Sequence, residues 1–241
     1  MQSLPPAFYD RPVVEVARDL IGCTVSHGGV AGVIVETEAY HDSEPACHAF
    51  VGLTPRTRTL FGEPGRAYVY RSYGIHALLN AVCEAEGVGA AVLIRALHPT
   101  RGIERMRSRR WPHARGAETL GLRDGAPAAA AYRARTATPS AGRGAGRAPV
   151  EGRPPDVREL CSGPGKLTQA LGVELSHNGS SLSRGPVRIG PRTSAWQDPE
   201  IARGTRVGIT RAVELRWRFC VVGDPNVSRP RPAADAARRP D

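Results

Sequence analysis

The sequence predicts a single α+β domain with a curved, mostly antiparallel β-sheet and a protruding β-hairpin. Three observations lead to this fold class. Apolar residues alternate in several short segments, as they do in strands. Two of these segments are joined across a tight glycine turn, as in a hairpin, and only short stretches have helical spacing. The chain of 241 residues has the length of one substantial domain.

Residues 5–26 are predicted to form a helix followed by a strand. Asp10 is the expected N-cap, Pro12 falls in the first helical turn, and Gly22 ends the helical spacing. A second strand follows a glycine turn. Residues 41–65 are then predicted to be a long loop, because they are rich in polar residues and glycine.

The segment 66–82 alternates, turns and alternates again, which predicts the β-hairpin. A strand is expected over 89–97 and a short basic helix over 99–110. Ser162 is a plausible N-cap for the next helix. Residues 205–223 are predicted to form two closing strands.

Two regions are predicted to be disordered. Residues 125–155 consist mostly of Ala, Gly, Arg and Pro, and a segment of this composition cannot bury enough apolar surface to fold. The polar tail 229–241 has the same property. The domain is therefore expected to span 1–228 with an insertion.

The net charge of +10 favours a polyanionic partner, such as nucleic acid or an anionic membrane surface. Lys166 is the only lysine among the 33 basic residues. A GC-rich coding sequence explains the excess of arginine over lysine, but it does not explain the positive sign of the net charge.

The five cysteines are widely spaced, and their odd number does not suit a disulfide framework. They predict reduced thiols in the cytoplasm. Neither zinc spacing nor a long apolar run is present, so no metal, cofactor or membrane partner is expected.

The strand IVETEAY, residues 34–40, contains an unusual combination of side chains. If faces alternate strictly, Ile34, Glu36, Glu38 and Tyr40 share one side. One interpretation is a half-exposed strand with solvated glutamates. The other is a site in which carboxylates lie beside an aromatic ring.

The tyrosines favour the second interpretation. Tyr70 lies on the hairpin and Tyr73 near its tip, among arginines, and such a pattern suits base stacking beside phosphates. An enzyme that acts on a base must first flip it out of the duplex. Tyr73 or Ile75 would then be the wedge, Tyr40 and Tyr70 the rings that sandwich the base, and Glu38 the group that activates water.

The sequence resembles a known family, the alkyladenine (3-methyladenine) DNA glycosylases of the mammalian type, which also occur in bacteria. The resemblance covers residues 12–222. The matching segments are ARDLIG (17–22), IVETEAY (34–40), CHA around His48, TPRTRTLF (54–61), YVYRSYGIHALLN (68–80), LIRAL (93–97) and ELCSGPGKLTQALG (159–172). The insertion and the polar tail depart from the family pattern without touching a motif.

The resemblance implies a role for each matching residue. Catalysis would rest on Glu38, the general base for water, and on Arg95 close to that water. The residues implied to hold the flipped base are Tyr40, His48, Tyr70 and Asn80, with Asn80 disfavouring normal guanine. The residues implied to contact DNA are Tyr73, which intercalates, Ile75, Gly163 and Lys166.

The implied protein is a cytoplasmic, nucleoid-associated bacterial monomer acting on double-stranded DNA. It would hydrolyse the N-glycosidic bond of damaged purines of the 3-methyladenine, 7-methylguanine, hypoxanthine and ethenoadenine class. Because Lys166 is the only lysine and a phosphate contact explains it equally well, no lyase activity is expected.

Two other functions compete with the glycosylase. A non-catalytic nucleic-acid-binding protein would have the same charge and tyrosines, but it would gain nothing from Glu38 in a phosphate-facing pocket. A nucleoside hydrolase is disfavoured by the basic charge and the hairpin. A sugar-cleaving carboxylate pair is excluded because Glu36 and Glu38 point the same way on one strand.

Overall fold

The computed structural model describes residues 2–72, 74–111 and 156–232. Apart from Trp111, these residues belong to one compact unit. The α-helices in the described part are α1 (Pro6–Tyr9), α2 (Val13–Asp19), α3 (Ile103–Arg110), α4 (Val157–Leu160) and α5 (Pro164–Leu171). The strands there are β1 (Thr24–His27), β2 (Val30–His41), β3 (Ala67–Ser72), β4 (His76–Val82), β5 (Ala90–Arg101), β6 (Arg188–Gly190), β7 (Ile201–Gly204) and β8 (Arg218–Val221).

The described strands form one sheet in the order β3-β4-β5-β2-β1-β6, and β8 pairs with both β2 and β7. Every one of these pairings is antiparallel. Strand β2 lies at the centre, since it pairs with β5 on one edge and with β1 and then β8 on the other. The predicted α+β class with a mostly antiparallel sheet is confirmed.

Strands β3 and β4 pair from Ala67↔Ala81 to Ser72↔His76, which is the pairing expected for the segment 66–82. Tyr73 lies outside the described residues. The protrusion of this hairpin and its insertion into DNA therefore stay predictions.

The main core lies between the sheet and helices α2, α3 and α5. Helix α5 shows how the sequence produces this packing. Its Leu167, Ala170 and Leu171 recur at helical spacing and are buried. Gly172 follows with φ +73°, a left-handed conformation that ends the helix at little steric cost for glycine.

Three predicted boundaries were wrong. Asp10 is the C-cap of α1, and Pro12 is the N-cap of α2. Gly163 instead of Ser162 precedes α5. Strand β5 continues to Arg101, so the basic helix begins later than position 99.

The first of the two predicted closing strands was also wrong. The strands are 201–204 and 218–221, and residues 205–217 form a loop between them. The alternating pattern of TRVGIT is that of a strand. However, the Arg206 side chain is buried against Glu44, and the Val207 N–H donates to the Glu38 side chain. These interactions hold the segment out of the sheet.

The predicted insertion at 125–155 lies outside the described residues, as does the tail beyond 232. Residues 229–232 of the expected tail are described and contact the domain. Arg218 Nη1 donates to the Pro230 carbonyl at 2.8 Å, and Arg231 Nη2 donates to the Pro225 carbonyl at 2.7 Å.

Within the described ranges, no helix combines the length and apolar character needed to cross a bilayer. The same ranges contain no group of three His, Cys, Asp or Glu side chains arranged to hold a metal ion. All five cysteines are buried free thiols.

Candidate active site

The pairing of β2 with β5 shifts register on both sides of Glu36. Val35 is an extra residue on β2, and Arg95 is an extra residue on β5. Such bulges bend a strand and re-aim side chains, and they are common next to active sites. Ile34 and Ala39 therefore pack in the same core cluster, although strict alternation would separate them. The prediction that Ile34 shares a face with the glutamates was wrong for this reason.

Glu36 and Glu38 are both 0% exposed, so the interpretation as solvated glutamates was also wrong. Glu36 accepts hydrogen bonds from Arg95 Nε (2.8 Å), Arg218 Nε (2.8 Å), the Ser228 amide (2.7 Å) and the Ser228 hydroxyl (2.8 Å). Burial by itself would raise the pKa of Glu36, but the two guanidinium groups outweigh it and hold this pKa below its usual value. Glu36 is an ionised structural carboxylate.

Glu38 is held differently. Its Oε1 accepts from the Val207 amide at 2.7 Å. Its Oε2 accepts from the Tyr40 hydroxyl at 2.8 Å and from Arg95 Nη1 at 3.2 Å. Burial raises the pKa of Glu38 above the usual carboxyl value, although Arg95 and these hydrogen bonds act in the opposite direction. A carboxylate with a raised pKa that keeps an acceptor site on Oε1 is suited to take a proton from water.

A cleft of about 640 Å³ opens in front of this carboxylate. Tyr40 and Arg95 both line the cleft and both bond to Glu38, so the carboxylate lies directly behind the cleft wall. The cleft has the volume typical of small-molecule sites. Its mouth is basic, because the exposed Arg56, Arg71 and Arg211 line it.

The cleft is rich in aromatic rings. Tyr68 and Tyr70 stack with centroids 5.2 Å apart, and the His48 ring meets Tyr70 edge to face at 4.6 Å. His48 Nδ1 lies 3.2 Å from the Tyr68 hydroxyl, and Arg56 Nη2 lies 3.3 Å from His48 Nε2. Since arginine can only donate, Nε2 accepts and Nδ1 carries the proton. Burial and the charge of Arg56 lower the pKa of His48, which favours this neutral form.

Asn80 is buried, donates to the Tyr68 carbonyl at 3.0 Å and lines the cleft. The structure thus brings together Glu38 and the predicted cleft residues Tyr40, His48, Tyr70, Asn80 and Arg95.

Of the predicted DNA-contacting residues, the three that the structure describes are not part of the cleft wall. Ile75 is 62% exposed on the turn between β3 and β4. Gly163 and Lys166 flank Pro164 and Gly165, which do line the cleft. Tyr73 falls outside the described residues. The DNA-contacting roles of all four residues stay predictions.

Sequence reasoning missed two groups in the loop 205–217, of which Val207 lines the cleft and Arg206 lies against Tyr40. Val207 contributes a backbone N–H, which carries no sequence signal. Arg206 is buried against Glu44 and Tyr40, and an arginine in an alternating segment gives no sign of such burial.

A family profile and several known proteins match this chain over most of its length. The profile of the family described as methylpurine-DNA glycosylase (MPG) matches residues 7–225. A relative from Bradyrhizobium diazoefficiens is 48% identical over 96% of this chain and 93% of its own length. One from Granulibacter bethesdensis is 44% identical over 90% and 83%, and one from the archaeon Methanoculleus marisnigri is 40% identical over 94% and 99%. All three carry the provisional name 3-methyladenine DNA glycosylase.

Proposed function

The chain belongs to the methylpurine-DNA glycosylase family, and we propose on this premise that it flips damaged purines into the cleft and hydrolyses their N-glycosidic bond with water activated by Glu38. As a member of that family it is a DNA repair enzyme, a hydrolase of N-glycosyl bonds. The observation that carries the mechanism is the position of Glu38. Its carboxylate is buried directly behind a cleft whose wall contains the rings of Tyr40, His48 and Tyr70.

The reaction proceeds as follows. Glu38 accepts a proton from water while the water oxygen bonds to the anomeric carbon of the sugar. The bond from that carbon to the base nitrogen breaks, and its electron pair leaves with the base. A cationic base such as 7-methylguanine becomes neutral on leaving and needs no proton. A neutral base such as hypoxanthine must gain a proton as it leaves. Solvent supplies this proton, and the proton that Glu38 took from water returns to solvent.

The cleft residues have distinct roles in this proposal. Tyr40 and Tyr70 stack on the flipped purine, since an aromatic ring can stack on any extruded base, whatever its identity. His48 hydrogen-bonds to the base through Nε2, in place of its contact with the exposed Arg56. Asn80 crowds the exocyclic amine of guanine and so disfavours the undamaged base. Arg95 bonds to both buried glutamates and lies beside the water.

Outside the cleft, Tyr73 and Ile75 fill the gap that the flipped nucleotide leaves in the duplex, and Gly163 and Lys166 approach the DNA backbone. The exposed arginines at the cleft mouth suit double-stranded DNA as partner. The protein acts as a monomer in this proposal.

An excision panel tests the proposal. Duplexes carrying one hypoxanthine, one 1,N6-ethenoadenine or one 7-methylguanine are expected to release the free base at saturating enzyme, whereas an undamaged guanine duplex is not. Released bases are measured by chromatography. If the protein binds all these duplexes and releases no base from any of them, it is a non-catalytic DNA-binding protein.

The enzyme is expected to lack lyase activity. A Schiff base requires an amine at the reacting carbon, and Lys166, the only lysine, does not line the cleft. Its Nζ lies 3.4 Å from the Ser162 hydroxyl. Partial desolvation and Arg110 lower the pKa of Lys166, which is the direction that activates an amine, so a direct test matters. Borohydride should trap no protein on lesion DNA. A trapped complex that disappears in Lys166→Arg would contradict this prediction.

The pH dependence of excision follows from the raised pKa of Glu38. A general base works only when ionised, so the rate should fall as the pH falls. Because burial raises the pKa of Glu38, the fall should begin above the pH at which an ordinary glutamate titrates, about 4.3. Single-turnover rates on a 7-methylguanine duplex measure it, since this cationic base needs no added proton. The fall in rate on the acid side of the pH profile is called the acid limb below. An acid limb centred at or below the usual glutamate pKa would contradict the prediction.

A further inference from the structure

Arg206 forms a buried ion pair with Glu44, beside the cleft residues Tyr40 and Val207. Its Nη1 donates to Glu44 Oε1 at 2.6 Å, and its Nη2 donates to Glu44 Oε2 at 2.9 Å. This is the two-pronged geometry that only arginine can offer a carboxylate. Nη1 also donates to the Ala39 carbonyl at 3.0 Å, and Nη2 to the Ala212 carbonyl at 3.3 Å. One guanidinium thus joins β2, the loop that follows it and the loop 205–217.

The same guanidinium stacks on Tyr40. Its central carbon lies 4.7 Å from the centroid of the Tyr40 ring, within the range of a cation–π contact. It also lies 5.4 Å from the Trp217 ring. Since Tyr40 lines the cleft, Arg206 supports a ring of the cleft wall.

Arg206 is followed directly by Val207, whose amide donates to Glu38 at 2.7 Å. The side chain of Arg206 and the amide of Val207 are thus fixed at neighbouring points of one short loop. A loop that shifts at Arg206 also shifts the amide that contacts the carboxylate.

We propose that the Glu44–Arg206 pair is a positioning device for catalysis, which holds the Tyr40 ring against the cleft and the Val207 amide against Glu38. The inference rests on the proposed roles of Tyr40 and Glu38. Neither Glu44 nor Arg206 touches the reacting atoms. Loss of either side chain lowers the excision rate and leaves the affinity for DNA nearly unchanged.

A purely structural ion pair would affect stability alone, whereas a positioning pair also affects the titration of Glu38. The side chains that interact electrostatically with Glu38 come from its own strand (Glu36, Tyr40), from β3, β5 and β8 (Tyr70, Arg95, Cys220) and from the loop 205–217 (Arg206), which also supplies the Val207 amide. The amide hydrogen bond lowers the pKa of Glu38. Weakening this bond raises that pKa further, so the acid limb of the rate profile moves to higher pH.

The experiment compares Glu44→Gln and Arg206→Lys with the wild-type enzyme on a 7-methylguanine duplex. Both variants are expected to lose about 10-fold to 100-fold in single-turnover rate, the size of effect that about 1 Å of misplacement causes. Their acid limbs should lie at higher pH. Their Kd for a duplex with an abasic-site analogue should stay within about threefold, since neither residue is a phosphate contact in this proposal.

Asp19→Asn is the matched control. It removes the charge from the Arg11–Asp19 pair, which has a 2.8 Å contact and lies partly exposed at α2, outside the cleft. This variant should keep both the wild-type rate and the wild-type acid limb.

Folded Glu44→Gln and Arg206→Lys with unchanged rates and unchanged acid limbs would overturn the inference. If Glu44→Gln fails to fold, Arg206→Lys decides, because lysine keeps the charge beside Glu44 and loses only the fork and the stacking. Glu38→Gln distinguishes a failure of the proposed function from a failure of the positioning role alone. If Glu38→Gln remains active, the proposed function fails, whereas an inactive Glu38→Gln beside active Glu44→Gln and Arg206→Lys removes only the positioning role.

Discussion

Replacing Glu38 with glutamine is expected to lower base excision by about 10²–10⁴-fold, the usual contribution of a general base. Glutamine matches the shape of glutamate but cannot take a proton from water. The affinity for lesion DNA should not fall, because the positive mouth of the cleft is unchanged. Single-turnover rates and binding to a lesion duplex measure the two quantities separately. Excision within a few fold of wild type, from a folded Glu38→Gln enzyme, would remove the mechanism.

The same substitution should not unfold the protein. The folded-state pKa of Glu38 is raised, so the folded protein holds this proton more tightly than the unfolded chain. Stability linked to this group is therefore complete at low pH and is lost as the pH rises through the folded-state pKa. Glutamine does not ionise, so the variant does not lose this stability as the pH rises. The Tm of Glu38→Gln at pH 7 to 8 should be equal to or slightly above that of the wild type, as is common where a functional group costs stability.

Replacing Glu36 with glutamine is expected to have the opposite pattern, a large loss of stability. Arg95 and Arg218 are both buried against Glu36. Removing one partner from a buried ion pair costs about 3–5 kcal/mol, because the remaining charge stays buried without compensation. Here that charge is Arg218, since Arg95 keeps its contact with Glu38. For a domain of this size, each kcal/mol lowers Tm by about 2–4 °C, so a fall of roughly 6–20 °C is expected.

The contribution of Glu36 to stability also changes with pH in the opposite direction from that of Glu38. Its folded-state pKa is lowered, so its contribution to stability is present above the unfolded pKa and is lost as the pH falls through the folded-state pKa. Thermal unfolding at pH 7 therefore shows the whole effect. Glu63→Gln is the control, since Glu63 is 62% exposed in a surface pair with Arg66. A Glu36→Gln protein with the Tm of the wild type would show that Glu36 does not stabilise the two arginines.

Strands could be predicted from the sequence where an alternating segment pairs with the segment next to it in the chain. The hairpin pairing of β3 and β4 follows from the residues themselves, because each strand lies beside the other across a short turn. The bulges at Val35 and Arg95 could not be predicted in this way. They arise where β2 changes from β1 to β8 as its partner, and that exchange depends on residues from the far end of the chain.

The candidate site shows the same division. Tyr40 and Tyr70 could be identified as cleft residues because aromatic rings beside arginines have a recognisable chemistry, whereas His48 was implied only by the family resemblance. The contact of Arg206 with Tyr40 could not be predicted, because its partner Glu44 is 162 positions away and its own segment alternates like a strand. The burial of Glu38 was likewise not visible in its sequence context.

The pairing of Glu36 with Arg218 and Ser228 has a consequence for biosynthesis. Its partners lie 182 and 192 positions further along the chain, so they leave the ribosome long after the carboxylate does. Until they arrive, Glu36 and Arg95 cannot be enclosed without leaving charge unbalanced in the interior. The nascent polypeptide therefore cannot bury this cluster one segment at a time. Translation has to reach Ser228 before the buried carboxylate of Glu36 has all of its partners.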